Sequence, residues 1–267
     1  MKKLLPILLS LLLLTGCSQK EDVTYYISKS VIQQKTGDIN VRAHTYDEHW
    51  NPLSATITVN GNFSSKTEYT YSEDFSVVTQ NSVSAIYEPD TTTTIRTFDG
   101  QGLVITAEIY DADRLISTAV NTYDDGGNLI KSVQTAPDSS VAITITRRYD
   151  RKGNLLTLQT DTGYAITRQE YTYDQHGHRI REEYYQNDVL NAYSDFQWKG
   201  NTAYGTNCSA DGTPGFTMML VYDDAGNVLV NEIKDVNGNL QSRTYNEYVG
   251  SDGSISSGLP KEMQTAK

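Results

Sequence analysis

The feature that most constrains this chain is a turn motif that recurs at a nearly constant spacing. An aromatic residue opens each copy, and the clearest copies read YDDGGNL from Tyr123, YDRKGNL from Tyr149 and YDDAGNV from Tyr222. The successive starts are separated by 25, 27, 25, 26, 24, 25, 24 and 26 residues. They are Tyr46, Tyr71, Phe98, Tyr123, Tyr149, Tyr173, Trp198, Tyr222 and Tyr248. So steady a period predicts one repeat domain.

A second set of turn signals falls between these starts, for example Asn60-Gly61, Asn187-Asp188 and Asn237-Gly238. Each repeat therefore contains two strands of about eight residues. The segments between the turns are rich in Thr, Val, Ile and Tyr, and none after the leader shows a sustained helical apolar period. We therefore predict an all-β chain of roughly eighteen strands, the first of which spans residues 23–33.

The motif has a physical explanation as a hairpin turn. An aspartate at the first position of a type I turn accepts backbone N–H groups, and the glycine adopts the left-handed conformation that closes the loop. Across the hairpin we predict that Tyr123 faces Leu129, and the same pairing joins Tyr149 to Leu155, Tyr173 to Arg179 and Tyr222 to Val228. The predicted structural turn residues are Tyr123, Asp124, Gly127, Asn128, Leu129, Tyr149, Asp150, Gly153, Asn154, Leu155, Tyr173, Asp174, Gly177, Tyr222, Asp223, Gly226 and Asn227.

The predicted fold is a set of antiparallel hairpin repeats of about 25 residues that form one long curved or spiralling sheet. Strand twist prevents so many strands from staying flat, which forces the sheet to curl. The alternative is a wide barrel or half-barrel.

The three clear motif copies resemble the YD repeat of the rearrangement-hotspot (RHS) family. The resemblance covers essentially the whole chain after the leader and is strongest from 123 to 240. It implies a spiralling antiparallel sheet, which in large members encloses a toxin, and it implies an association with carbohydrate binding. This chain is far shorter and contains no Asp-Pro pair, so the family's cleavage and cargo roles are not carried over.

The first residues predict export and a lipid anchor. Lys2 and Lys3 precede an apolar run that ends in Leu14-Thr15-Gly16-Cys17, which resembles a bacterial lipobox. Cys17 is the predicted lipidation site, which would carry palmitate or similar acyl chains and hold the protein on the cell membrane or the outer membrane. The predicted organisation is 1–16 signal peptide, 17–22 lipidated tether, 23–250 YD-repeat β domain and 251–267 polar tail.

The charge balance restricts the partners. The chain has 22 Lys+Arg and 33 Asp+Glu, and removal of residues 1–16 with their two lysines gives 20 − 33 = −13. Such a surface repels phosphate backbones, so we do not expect nucleic acid as a partner. The expected partners are the membrane, through the anchor, and an envelope glycan or protein.

Neither an enzyme nor a metal or cofactor site is predicted. Cys208 lies in NCSADGTPG, a predicted turn, without the signature of a catalytic thiol. His176 and His178 are too few for zinc, the acidic turns lack the closing glutamate of an EF-hand, and no Gly-x-Ser-x-Gly elbow occurs.

Three hypotheses for the function remain. The first is a non-catalytic, lipid-anchored envelope protein that binds a carbohydrate or protein or acts as a scaffold, with aromatic side chains as the ligand surface; these are Tyr171, Tyr173 and Trp198, with Tyr193 and Tyr204 as further candidates. The second is an accessory or remnant of an RHS-type toxin system. The third is a half-barrel carrier of apolar molecules, which Arg147, Arg179 and Glu232 at predicted ladder positions disfavour.

Overall fold

The structure is a computed structural model that describes residues 23–85, 91–137, 139 and 141–264. The predicted signal peptide, the tether and Cys17 lie outside the described residues, as do residues 265–267 of the predicted tail. In the part that the structure describes, no helix is long and apolar enough to cross a membrane.

The described residues form antiparallel strands that follow one another along the chain, with one short helix at the end. The strands are β1 (Tyr25–Gln34), β2 (Ile39–Tyr46), β3 (Pro52–Val59), β4 (Asn62–Tyr71), β5 (Val77–Ser84), β6 (Thr91–Phe98), β7 (Val104–Asp111), β8 (Arg114–Tyr123), β9 (Leu129–Thr135), β10 (Ile143–Tyr149), β11 (Leu155–Asp161), β12 (Ile166–Tyr173), β13 (Arg179–Gln186), β14 (Val189–Lys199), β15 (Thr202–Ser209), β16 (Pro214–Tyr222), β17 (Val228–Asp235), β18 (Leu240–Gly250) and β19 (Ile255–Ser257); the helix is α1 (Lys261–Gln264).

The sheet closes on itself. Each strand pairs with the next along the chain, and β1 also pairs with β18 from Tyr25 opposite Gly250 to Gln34 opposite Ser242. Eighteen strands thus form a barrel, while β19 pairs only with β18. The all-β hairpin prediction is confirmed, and of the two predicted arrangements the structure shows the wide barrel. Closure gives both terminal strands of the ring a partner and removes the exposed edges that an open spiral would leave.

The barrel is wide. Eighteen strands at about 4.8 Å spacing give a backbone diameter of at least about 27 Å, and strand tilt enlarges it further. The buried apolar cluster of Phe196, Ala203, Leu220 and Tyr222 lies entirely on β14, β15 and β16. Because this cluster is built by neighbouring strands, we describe the molecule as a one-layer wall around an interior.

The two faces of the wall differ in exposure. On β14, Ser194 and Phe196 are buried, whereas Asp195 and Gln197 between and after them are exposed. Side chains on the concave side of a closed sheet converge and those on the convex side spread apart, so we assign the crowded face to the interior. The ladder registers carry this inner face from strand to strand, for example through Trp198, Ala203 and Leu220, through Tyr171, Glu182 and Ser194, and through Arg147, Leu158 and Gln169.

The motif aromatics stand at or near the ends of the even-numbered strands, as the period predicts. All four predicted cross-hairpin pairs are present: Tyr123 with Leu129, Tyr149 with Leu155, Tyr173 with Arg179 and Tyr222 with Val228. Each of these hairpins contains a register shift next to the aromatic residue, which is where the extra residue of the bulge is accommodated.

The predicted polar tail contributes to the fold. After Gly250 the chain turns back, and β19 pairs with the part of the β18 edge that extends beyond β17. Leu259 is buried, and the Lys29 ammonium donates a hydrogen bond to the Met263 carbonyl at 3.3 Å. The last part of the chain therefore packs against the barrel wall, which the polarity of its sequence did not indicate.

Candidate functional site

The motif aromatics form a hydrogen-bonded ladder around one end of the barrel. In seven of the nine motif aromatics the polar atom of the ring donates to a backbone carbonyl 18 to 20 residues earlier, for example Tyr71 to Pro52 at 2.8 Å, Tyr149 to Leu129 at 3.2 Å and Tyr173 to Leu155 at 2.9 Å. The Phe98 ring has no polar atom, and the Tyr222 hydroxyl has no partner. The further members are Tyr46 to Ile27, Tyr123 to Val104, Trp198 to Arg179 and Tyr248 to Val228. The aromatic ladder thus ties each of these seven hairpins to the preceding part of the chain.

The aspartates at the starts of the turns cap the turn backbone. The Asp124 carboxylate accepts the backbone N–H groups of Gly126 and Asn128, at 3.0 and 2.8 Å, and the Asn128 side-chain amide. These hydrogen bonds lower the pKa of Asp124, and the bond from the Asn128 side chain has the largest effect. The equivalent contacts recur at Asp47, Asp150, Asp223 and Asp235.

The predicted ligand residue Trp198 sits in a stack of rings. Its indole lies 4.3 Å from the His178 ring at 15° and 5.1 Å from the Tyr222 ring at 29°. Its Nε1–H donates to the Arg179 carbonyl at 2.9 Å. The Trp198 ring is thus already in contact with two other rings, and its polar atom is already hydrogen-bonded. A role of Trp198 in binding a ligand stays a prediction.

Tyr171 and Tyr173 lie on the same inner face as Trp198. Tyr171 is 6% exposed and donates to the Gln169 side-chain oxygen at 2.6 Å. Burial has the largest effect on the pKa of Tyr171 and raises it, and the nearby Glu182 carboxylate raises it further. The Tyr171 hydroxyl therefore stays protonated. The structure therefore brings the three predicted ligand residues together on one face, in an arrangement that also holds the wall together.

The other two candidate aromatics are on the outer face. Tyr204 is 49% exposed on β15, and Tyr193 on β14 pairs with Cys208. Cys208 itself is a buried residue of β15, one position before the strand ends, so the prediction that it lies in the turn is wrong. The turn begins after Ser209 because the strand pairing extends through Cys208 to Pro214.

A second group on the inner face consists of arginines. Arg179 pairs with Glu182 at 3.0 Å and lies over the Phe196 ring at 4.8 Å from its centroid, and Arg96 donates to the Gln80 side chain at 2.9 Å. Arg42 is exposed on β2. The pKa of the nearby His44 is lowered to about 4, mainly because His44 is partly buried and in addition because of the charge of Arg42.

Arg147 differs from the other arginines. One of its terminal nitrogens, Nη1, is buried and has no hydrogen-bond partner. Its charge lowers the pKa values of the Tyr123, Tyr149 and Tyr171 hydroxyls, against the larger raising effect of burial in each case. A cation thus lies within electrostatic reach of three tyrosine hydroxyls. The sequence predicted Arg147 at a ladder position, two residues before Tyr149, but it gave no sign that Nη1 would be buried without a partner.

The outer face carries several ion pairs. Lys66 pairs with Glu68, Arg168 with Glu170, Arg181 with both Glu183 and Asp195, and Glu232 with both Lys234 and Arg243. Glu232, predicted on the same ladder as Arg147 and Arg179, thus lies on the opposite face. The bulges beside the motif aromatics shift the alternation, which explains the misplacement.

The two histidines of the turn after Tyr173, His176 and His178, have different surroundings. His178 contacts the Asp174 carboxylate at 3.2 Å and His176 is exposed. Within the described ranges, no group of three or more histidine, cysteine, aspartate or glutamate side chains is arranged to hold a metal ion.

Comparisons with known proteins leave the function open. Residues 19–146 match a family model described as an uncharacterised protein, and no curated protein matches the chain. Among solved structures, a porin-like protein from Bacteroides uniformis ATCC 8492 is similar with 11% identity and a TM-score of 0.48, over 86% of this chain and 96% of that one. A porin-like protein from Bacteroides vulgatus ATCC 8482 shows 12% identity and a TM-score of 0.37, over 84% and 98%. TcdB2-TccC3-TEV shows 14% identity and a TM-score of 0.29, over 82% and 16%.

Proposed function

We propose that this chain is a non-catalytic, lipid-anchored binding protein of the cell envelope, built from YD repeats, which holds a ligand inside its barrel. The observation that carries the proposal is the contrast between the two faces of the wall. The outer face bears paired charges, and the inner face bears aromatic rings and arginines.

The charged outer face suits a barrel surrounded by water. A wall that faced lipid would carry an apolar outer band, since a charge at the middle of a bilayer costs about 2–4 kcal/mol. Here Arg181, Glu183 and Asp195 form an ion-pair network on three adjacent positions of the outer face. Attachment through acyl chains at Cys17 is therefore the proposed link to the membrane, and β1 begins only a few residues after the predicted tether.

The interior suits a polar ligand with ring or planar groups. It presents rings at the ladder end and cations along the wall, which speaks against a carrier of purely apolar molecules. An envelope glycan is the ligand class that we favour, because sugar rings stack on aromatic side chains and their hydroxyl groups hydrogen-bond polar ones.

Two measurements test the proposal. Growth with an alkyne-tagged palmitate should label the full-length chain in the membrane fraction, and Cys17→Ala should remove the label and release the protein. Binding of purified, detergent-solubilised protein to a glycan array and to envelope polysaccharide should be saturable. A labelled Cys17→Ala chain would overturn the anchor, and absence of any binding would overturn the binding function.

A further inference from the structure

The inner face carries a charge opposite to that of the whole chain. Away from the turns, its charged residues are Arg42, Arg96, Arg147, Arg179 and one acid, Glu182, so that 4 − 1 = +3. The chain as a whole has a net charge of −11. Because Glu182 is already paired with Arg179, no carboxylate among the described residues neutralises Arg147.

Arg147 is placed where an unpaired cation is costly. Its Nη1 is buried without a partner, and buried charges without hydrogen bonds are normally avoided in folded proteins. Leu158 of β11 is directly opposite it on the inner face, and Tyr149 lies two positions further along the same strand. Its charge also acts on the hydroxyls of Tyr123, Tyr149 and Tyr171. The hydroxyls of these tyrosines already donate elsewhere, so none of them supplies a negative group to the guanidinium.

The next residue provides an internal comparison. Arg148 has the same side chain on the same strand, pairs with Thr157 and is exposed on the outer face. The two arginines differ in the face that they occupy and therefore in their surroundings.

We propose that Arg147 and its tyrosine neighbours form a binding subsite for the carboxylate of an acidic saccharide that enters the barrel. The guanidinium supplies a two-pronged donor that matches a carboxylate, and the tyrosine rings line the space beside it. The inference rests on the proposed function and names the ligand class for it. Arg147 as a whole is only partly buried, so a carboxylate in the interior can reach the guanidinium beside the covered Nη1.

The experiment uses the full-length chain in detergent and measures binding of oligogalacturonate by calorimetry at low and high salt. A fully methyl-esterified oligogalacturonate, which lacks the charges, serves as the neutral ligand. We expect saturable binding of the acidic form that weakens with salt, and binding about tenfold or more weaker for Arg147→Gln, since a hydrogen bond to a charged group is lost. Arg148→Gln should bind like the wild type.

A thermal measurement separates loss of binding from loss of folding. Without ligand, Arg147→Gln should melt at the same temperature as the wild type or higher, because it removes a partly buried charge that has no carboxylate partner. Arg147→Lys, which keeps the charge and loses the fork, should bind with intermediate strength.

Equal binding by wild type and Arg147→Gln, or equal loss in Arg147→Gln and Arg148→Gln, would overturn the subsite. Binding of the neutral ester alone would overturn the acidic ligand class and leave the proposed binding function intact. Absence of any saccharide binding in the folded wild type would overturn the subsite, and the array and envelope measurements then decide the proposed function independently.

Discussion

The motif aromatic rings are held differently in two regions of the barrel, the repeats from β8 to β13 and the region from β14 to β17. In the first region each motif tyrosine donates its hydroxyl to the carbonyl that follows the previous turn. In the second, the Tyr222 hydroxyl is buried and has no partner. Its ring instead stacks on Trp198 and joins the buried cluster with Phe196 and Leu220.

The cause of the difference is the turn that precedes Tyr222. After Trp198 the chain reverses through Gly200 and Asn201 alone, so β15 pairs with β14 from the first residue after the turn. The longer motif turn, whose last residues offer a carbonyl to the next ring, is missing. Ring packing therefore maintains the period, and the hydrogen bond is an addition to it.

The largest effect should follow removal of the ring at the centre of the second region. Trp198→Ala removes the stack with His178 and Tyr222 and the hydrogen bond to Arg179. We expect the free energy of unfolding to fall by about 3 kcal/mol. Urea denaturation followed by circular dichroism measures it, with exposed Tyr164→Ala as the control. A loss as small as that of the control would mean that ring packing does not dominate here.

A smaller effect should follow a change of the turn glycine that the first region shares. Gly127 has φ +80°, in the left-handed region that favours glycine, so Gly127→Ala should cost about 1 kcal/mol. Gly126→Ala is the matched control, because Ala225 occupies the equivalent position in the Tyr222 copy. Melting temperatures of the two variants give the comparison, and equal shifts would contradict the role assigned to Gly127.

The most direct test of the comparison removes one hydroxyl from each region. Tyr173→Phe leaves the Leu155 carbonyl without this donor and should cost about 1 kcal/mol. Tyr222→Phe removes a buried hydroxyl that has no partner, so the protein should be as stable as the wild type or slightly more stable. Denaturant midpoints measured side by side decide the question, and an equal loss in both variants would show that the Tyr222 hydroxyl is bonded in solution.

The smallest expected effect concerns pH and the first ladder copy. His44 stacks beside Tyr46 at 6.5 Å, and burial, followed by the charge of Arg42, lowers its pKa from about 6.5 to about 4. Since the unfolded chain binds this proton more readily, stability should fall as the pH drops from about 6.5 to about 4, by less than about 1 kcal/mol after allowance for solvent screening. His44→Gln should flatten that part of the curve of melting temperature against pH. An unchanged slope would show that His44 does not contribute.

Much of the architecture could be predicted from residues alone, because turn chemistry is local. The motif spacing predicted the strand pairs Tyr123 with Leu129 and Tyr149 with Leu155, both present. The ligand surface was harder to predict. Tyr171 and Trp198 were grouped with Tyr204, which the structure places on the outer face, because the two-residue turn after Lys199 sets Ala203, and not Tyr204, opposite Trp198.

The amino-acid sequence by itself determined the repeat, the hairpin turns and the single all-β domain, because these depend on residues that are close along the chain. Only the tertiary structure decided that β1 meets β18, that the Arg147 Nη1 is buried without a partner, and that Tyr222 lacks the bond its counterparts make. Closure depends on twist summed over eighteen strands, and each bulge changes the register that sets the facing of every later side chain. Such accumulated quantities are properties of the whole sheet.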